Sequence, residues 1–253
     1  MGGKHRLVPQ LVALLPKDTH AYVEVFGGSG AVLLNKPPSP VEVWNDIDNE
    51  LVSLFMTVRD HPTQFIRAVR SLPYSRTLRD AWRSQFYGGH WPKDRFERAV
   101  RYYYMLRSSF FGHIDKGWRF ALKTDEAARL YNCVGEVEEI AQRLAHVHID
   151  HKDFRRCVQS YDRPDTTFYC DPPYFGSVPY RKGIPAFMET VHQDLASLLK
   201  GIQGKFLLTY NDHPRVRELY KGFKMSEVVT RLNTDKLATA NRRPFRQVII
   251  RNY

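Results

Sequence analysis

Asp171, Pro172, Pro173 and Tyr174 follow the apolar run 166–170, and their types suit one task, gripping an amino group. Consecutive prolines have no amide hydrogens, so the chain is stiff there and cannot continue a sheet. A carbonyl in such a turn keeps a fixed direction. An exocyclic aromatic amine is a poor nucleophile because its lone pair is delocalised into the ring. If Asp171 and the Pro172 carbonyl each accept one amine hydrogen, the nitrogen is biased toward a tetrahedral shape with its lone pair aimed at an electrophile. That is catalysis by positioning and electrostatics. Tyr174 offers a stacking face for a base drawn out of a duplex. The competing reading is a Pro-Pro turn with an aspartate cap.

A second group lies near the N-terminus. Phe26-Gly27-Gly28-Ser29-Gly30 follows the apolar run 21–25 and precedes the helix-like Ala31-Val32-Leu33-Leu34. A glycine-rich turn between strand and helix lets a ligand approach the backbone. It is neither a Walker A loop nor the full dinucleotide fingerprint, and a tight turn without a ligand remains the alternative. About 20 residues on, Trp44-Asn45-Asp46-Ile47-Asp48 ends the next apolar run, placing an acid where ribose hydroxyls of an adenosine are bound in open α/β sheets. Asp46 is the candidate, with Asp48 capping a helix that starts near Asn49.

The elements that must hold these groups are short strand-like runs alternating with helix-like stretches, the pattern of a parallel sheet flanked by helices. The candidate strands are 21–25, 41–45, 147–150, 166–170, 205–209, 224–230 and 246–251. Between the second and third lies a gap of about 100 residues, longer than a simple crossover needs. The gap is helix-like, and residues 74–120 interleave arginines with aromatics, which supply phosphate contacts and stacking faces. Most of those aromatics read as the core of a small helical lobe. The arginines carry the nucleic-acid signal, because an amphipathic helix usually mixes both signs on its wet face.

Composition agrees. The 38 Lys and Arg against 27 Asp and Glu leave a formal charge of +11 over 253 residues, which points to a polyanionic partner, with a merely basic globular protein as the alternative. Cys133, Cys157 and Cys170 are odd in number and too widely spaced for a CxxC pair, so neither a disulfide framework nor a metal site is expected. No signal-peptide pattern stands at the N-terminus, and no apolar run approaches the roughly 20 residues of a membrane helix. A soluble, cytoplasmic protein without membrane attachment is expected.

Five blocks in order, Met1-Gly2-Gly3-Lys4, residues 22–30, Asn45-Asp46-Ile47-Asp48, Asp153-Phe154 and Asp171-Pro172-Pro173-Tyr174, resemble the Dam-like (D12 class) DNA adenine N6-methyltransferases, notably phage and prophage types. The resemblance covers nearly the whole chain. It implies a Rossmann-like class I methyltransferase fold: a mixed seven-stranded sheet with helices on both faces and an inserted helical lobe. It implies a catalytic domain from 1–60 and 146–253 that binds S-adenosyl-L-methionine, and a target-recognition domain from 61–145. Gly3 and Lys4 would hold the methionine end of the cofactor, while Glu24, Phe26, Gly27, Gly28 and Gly30 would lie beneath it. Asp46 would take its ribose hydroxyls, Asp153 and Phe154 its adenine ring, and Asp171 would border it. Asp171 through Tyr174 would form the catalytic pocket for an adenine flipped from double-stranded DNA, and Arg107, Ser109, Phe110, Lys116 and Arg119 would face that DNA. Tyr210-Asn211-Asp212 resembles the family as support for the site. A monomer or weak dimer in a bacterial or phage-infected cell is expected, and a restriction endonuclease partner is left open.

The chain departs from the family in three places. Val25 replaces a proline, Met1 stands where the family carries an aromatic ahead of Gly-Gly-Lys, and Leu106-Arg107-Ser108-Ser109-Phe110-Phe111-Gly112 differs from the segment of enzymes best known for GATC. No target sequence is therefore assigned. Cytosine N4 methylation uses the same pocket logic, and RNA is a weaker alternative substrate. A catalytically silent DNA-binding protein of the same fold would not need Asp171 and Tyr174. A nicotinamide-dependent oxidoreductase, suggested only by the glycine turn, would have no use for the Asp-Pro-Pro-Tyr block.

Overall fold

The computed structural model describes residues 6–177, 183–184, 186–231 and 244–253. Gly3 and Lys4 lie outside them. Each of the seven expected runs is a strand: β1 (Ala21–Glu24), β2 (Val41–Asn45), β3 (Val147–Asp150), β4 (Thr166–Cys170), β5 (Lys205–Asn211), β6 (Lys224–Arg231) and β7 (Pro244–Arg251). They form one sheet in the order β3-β2-β1-β4-β5-β7-β6. β1 runs parallel to β2 and β4, and β4 parallel to β5, whereas β7 is antiparallel to both β5 and β6. This is the mixed seven-stranded sheet that the resemblance implies.

The strand order reverses between β1 and β4, and in open α/β sheets ligands bind outside the carboxyl ends of strands at such a switch point. The central strands are buried on both faces, which explains their near-continuous apolar composition. A short helix, α1 (Val8–Leu14), precedes β1, and Val23, Val43, Phe168, Phe206, Leu208 and Ile250 belong to one core with α8 (Phe154–Tyr161) and α9 (Glu189–Lys200). The stretch 31–34 forms no full helix. Only a 3-10 turn, Leu33–Asn35, is present, because Pro37, Pro38 and Pro40 follow and Lys36 is already extended.

The described residues divide into two compact units. One holds the sheet apart from β3, and the other spans Asp46–His151. The second unit is helical: α2 (Asn49–Asp60), α3 (Pro62–Arg70), α4 (Arg76–Tyr87), α5 (Arg95–Arg107), α6 (Glu126–Cys133) and α7 (Val137–Leu144). Four of these helices, α2, α4, α5 and α6, begin at side-chain caps placed by the sequence. Asp48, Ser75, Asp94 and Asp125 accept from the amides of Glu50, Leu78, Glu97 and Ala128. α2 packs against α5 and α7 within this unit.

Candidate active site

β4 delivers Asp171 to the carboxyl end of the sheet, and β5 reaches past that point to Asn211. Pro172 is buried, while Asp171, Pro173 and Tyr174 are half-buried. The Thr209 hydroxyl donates to Asp171 Oδ1 at 2.9 Å. Asn211 brackets Phe175, accepting from its amide and donating to its carbonyl, both at 3.1 Å. Tyr174 donates its hydroxyl to Gln247 Oε1 on β7 at 2.7 Å, and its ring stacks on Phe245 at 5.8 Å. Asn211 and Gln247 are partners in the β5–β7 register, so adjacent positions on two strands hold Phe175 and Tyr174. The Asp-Pro-Pro-Tyr turn is therefore braced from behind as well as stiffened by its prolines.

One strand away, Glu24 ends β1 and is only 2% exposed. Its carboxyl accepts from the Leu33 amide at 2.9 Å and from the Tyr22 hydroxyl at 3.2 Å, which ties the strand to the chain beyond the glycine turn. Burial pushes its pKa up to about 8, the two hydrogen bonds pull it partly back, and the charge of Asp171 adds to the rise. The turn itself depends on small residues. The Gly27 amide donates to Asn45 O at 2.7 Å, and a Cβ at Gly27 would lie 2.3 Å from the Trp44 indole. Gly28 has φ +51°, and a Cβ there would meet nothing within 4 Å.

Asn45 joins this turn to the next expected site residue. Its Nδ2 donates to Val25 O at 2.9 Å and Lys152 O at 3.0 Å, and its Oδ1 accepts from the Lys152 amide at 2.9 Å. Asp153 follows directly and caps α8 through the Arg155 amide at 2.9 Å. Its carboxylate also pairs with the Arg155 guanidinium at 3.0 Å, and that guanidinium lies 4.4 Å over the Phe154 ring. Phe154 is buried and stacks on Phe26 at 5.6 Å, with Phe187 edge-on to Phe26 at 5.8 Å. These aromatics are shared with the core, and Phe187 carries no signal in the sequence.

In the helical unit, Asp46 Oδ1 accepts from the Asp48 amide at 2.8 Å, and Tyr102 donates its hydroxyl to Asp48 at 2.9 Å. The expected DNA-facing residues fall on and after the C-terminus of α5. Ser109 is buried, and its hydroxyl accepts from Arg79 at 3.0 Å. Arg79, 4% exposed, also donates to Ile114 O at 3.0 Å and to Lys116 O, so one guanidinium clasps the turn 109–116. Ser109 and Trp118 form an antiparallel bridge that closes the loop. Phe110 is 41% exposed at its tip, and Lys116 is exposed. Beyond it, Phe120 and Leu122 are 58% and 92% exposed.

Several arginines that suggested a phosphate-binding face are engaged within the unit. Arg98 pairs with Glu50, Arg101 with Glu97, Arg119 with Glu126 at 2.7 Å, and Arg107 donates to the Tyr103 hydroxyl at 3.2 Å. Glu50 lies on α2, 48 residues from Arg98, whereas Glu97 on α5 and Glu126 on α6 stand only four and seven residues from their arginines. Among the described residues, no group of three or more His, Cys, Asp and Glu could hold a metal, and no helix is long and apolar enough to cross a membrane.

Residues 1–234 match the family described as D12 class N6 adenine-specific DNA methyltransferase. The chain is 26% identical to a type II methyltransferase, M1.LlaDCHI, of Lactococcus lactis subsp. cremoris, over all of this chain and 93% of that protein. It is 26% identical to a DNA adenine methylase of Haemophilus influenzae, over 90% of this chain and 83% of the relative. It is 24% identical to the type II methyltransferase M.CviBI of Paramecium bursaria Chlorella virus NC1A, with 89% and 86% covered.

Proposed function

The chain belongs to the D12 class of N6 adenine-specific DNA methyltransferases, and from that premise we propose that it takes the methyl group from S-adenosylmethionine and delivers it to an adenine turned out of double-stranded DNA, with Asp171 as the residue that grips the amine. The observation that carries this reading is the braced turn at the end of β4. A carboxylate held by Thr209, a proline-fixed carbonyl beside it and an anchored aromatic ring at Tyr174 match what an amine needs. Asp171 and the Pro172 carbonyl accept the two N6 hydrogens, which frees the nitrogen lone pair for in-line attack on an electrophilic methyl group. Tyr174 stacks on the withdrawn base and helps offset an extrusion cost of a few kcal/mol.

The residues of the β1 turn fit the methyl donor. The space on the Cβ side of Gly28 leaves room for a ligand, and the turn lies at the end of β1, beside β4 in the sheet. When bound there, S-adenosylmethionine supplies a sulfonium methyl. Gly27, Gly28 and Gly30 would line its approach, Asp46 would accept from its ribose, and Asp153 with Phe154 would meet its adenine, with Gly3 and Lys4 at its methionine end. Residues 61–145 form the recognition lobe in this reading. Phe110 and Lys116 present to DNA from the clasped turn, Arg107 and Arg119 flank it, and Ser109 shapes it. The protein works inside a bacterial or phage-infected cell as a monomer or weak dimer.

The test incubates the purified chain with methyl-labelled S-adenosylmethionine and plasmid DNA, followed by nucleoside digestion. Label in N6-methyladenine, blocked by Asp171→Ala, is the expected result. Label in N4-methylcytosine, or undiminished turnover by Asp171→Ala, would overturn it.

A further inference from the structure

Thr209 lies on β5, not in the Asp-Pro-Pro-Tyr block, yet it touches the block's carboxylate. Tyr169 pairs with Leu207 and Cys170 with Leu208 in the parallel β4–β5 register. One step further along both strands, Asp171 and Thr209 stand side by side, and side chains of paired strand positions leave the same face. The Thr209 side chain is 1% exposed and has three polar neighbours: Asp171 Oδ1 at 2.9 Å, Tyr169 Oη at 3.4 Å and Cys170 O at 3.5 Å. A hydroxyl has one proton to give, and the nearby carboxylate takes it in preference to the distant carbonyl. The Tyr169 phenol supplies the complementary donor, since burial raises its pKa well above the usual tyrosine value and keeps it protonated.

We infer that Thr209 is a positioning residue for methyl transfer: its hydroxyl fixes the plane of the Asp171 carboxylate so that an oxygen is presented to the N6 hydrogen. The inference rests on the reading of Asp171 as the amine grip. The plane of a carboxylate is set by the groups that hold its oxygens, of which the Thr209 hydroxyl is one, and Pro172 stiffens only the backbone. Threonine meets two demands at this site. Its β-branched carbon suits a buried strand, and its hydroxyl reaches the acid. A valine would meet the first demand alone.

The test uses the full chain with S-adenosylmethionine and duplex DNA, comparing Thr209→Val, Thr209→Ser and Asp171→Ala for single-turnover rate, KM for both substrates and thermal midpoint. Loss of one hydrogen bond to a charged group predicts a fall of about 10- to 100-fold in the transfer rate of Thr209→Val, with both KM values within about twofold of the parent. Thr209→Ser keeps the hydroxyl and restores the rate to within about threefold. Parent-like transfer by Thr209→Val while Asp171→Ala is inactive would overturn the role of Thr209 and leave that of Asp171. Active Asp171→Ala would remove the reading beneath both. If Thr209→Val does not fold, Thr209→Ala takes its place against Thr209→Ser, and equal rates for that pair would overturn the inference.

Discussion

Tyr174 and Gln247 are 73 residues apart in the chain, and the tyrosine hydroxyl donates to the glutamine Oε1 at 2.7 Å. Gln247 is itself held, donating through Nε2 to Thr230 Oγ1 at 3.0 Å on β6. The antiparallel strands at the far edge of the sheet thus set the orientation of the ring proposed to stack on the target base.

Gln247→Leu and Tyr174→Phe remove the same hydrogen bond from opposite ends. Each is expected to lower methyl transfer by about fivefold, the worth of one neutral hydrogen bond. Because the two changes abolish one interaction, the double variant should lose little more than either single one. Single-turnover rates for the three variants check this, and multiplying losses would show that the residues act independently.

Arg79 offers a test in the helical unit. Its guanidinium is the donor to Ser109 Oγ, Ile114 O and Lys116 O, so Arg79→Ala takes this shared donor from the turn 109–116 and leaves Ile114 O with Arg83 Nε at 3.1 Å. The expected outcome is a KM for DNA raised about tenfold or more, with the KM for S-adenosylmethionine unchanged. Lysine cannot reproduce the fork of donors, so Arg79→Lys should resemble Arg79→Ala. Steady-state kinetics with each substrate varied in turn decides it, and an unchanged KM for DNA would separate the turn from DNA binding.

The central strands are legible because they are buried on both faces and therefore nearly apolar throughout, as in Val43-Trp44 and Phe168-Tyr169-Cys170. The turns were legible because glycine and proline announce themselves, and Asp48 was readable as a helix cap. What sits behind the turns was not. Thr209 and Gln247 read as ordinary strand residues, because the contacts that give them meaning span 38 and 73 positions. Asn45 carries no local signal beside Asp46, although its side chain reaches 107 residues ahead to Lys152. Arg79 falls within the basic, aromatic run 74–120, whose pattern points to a basic surface. Its burial follows from the carbonyls of a loop more than 30 residues away, and local charge pattern carries no trace of that.

The buried carboxyl of Glu24 predicts a pH dependence. Its folded pKa of about 8 lies above the ordinary value of 4.5, so between those limits the folded chain holds a proton that the unfolded chain releases. The stability this contributes is complete below the lower value and is lost as pH rises through the upper one. Glu24→Gln keeps an acceptor for the Leu33 amide without a titrating group. Relative to the parent it should therefore gain stability between about pH 5 and pH 8, by on the order of a few kcal/mol at the alkaline end. Urea unfolding across that range is the measurement, and parallel curves for the two proteins would refute the assignment.

The last prediction separates two neighbouring glycines by what surrounds them. A Cβ at Gly27 would lie 2.3 Å from the indole of Trp44, a fully buried side chain that cannot move aside. Gly27→Ala should therefore destabilise the fold by about 1–3 kcal/mol, the cost of overpacking a tight core. At Gly28 a Cβ meets open space, and the left-handed φ of +51° costs about 1–2 kcal/mol. Its methyl group would project into the room assigned to the methyl donor. Gly28→Ala should then fold with only a small drop in thermal midpoint while its affinity for S-adenosylmethionine falls about tenfold or more, because close backbone approach is what the glycine provides. Calorimetric titration of both variants distinguishes the cases. Parent-like affinity in Gly28→Ala would move the donor site away from the β1 turn, whatever became of Gly27→Ala.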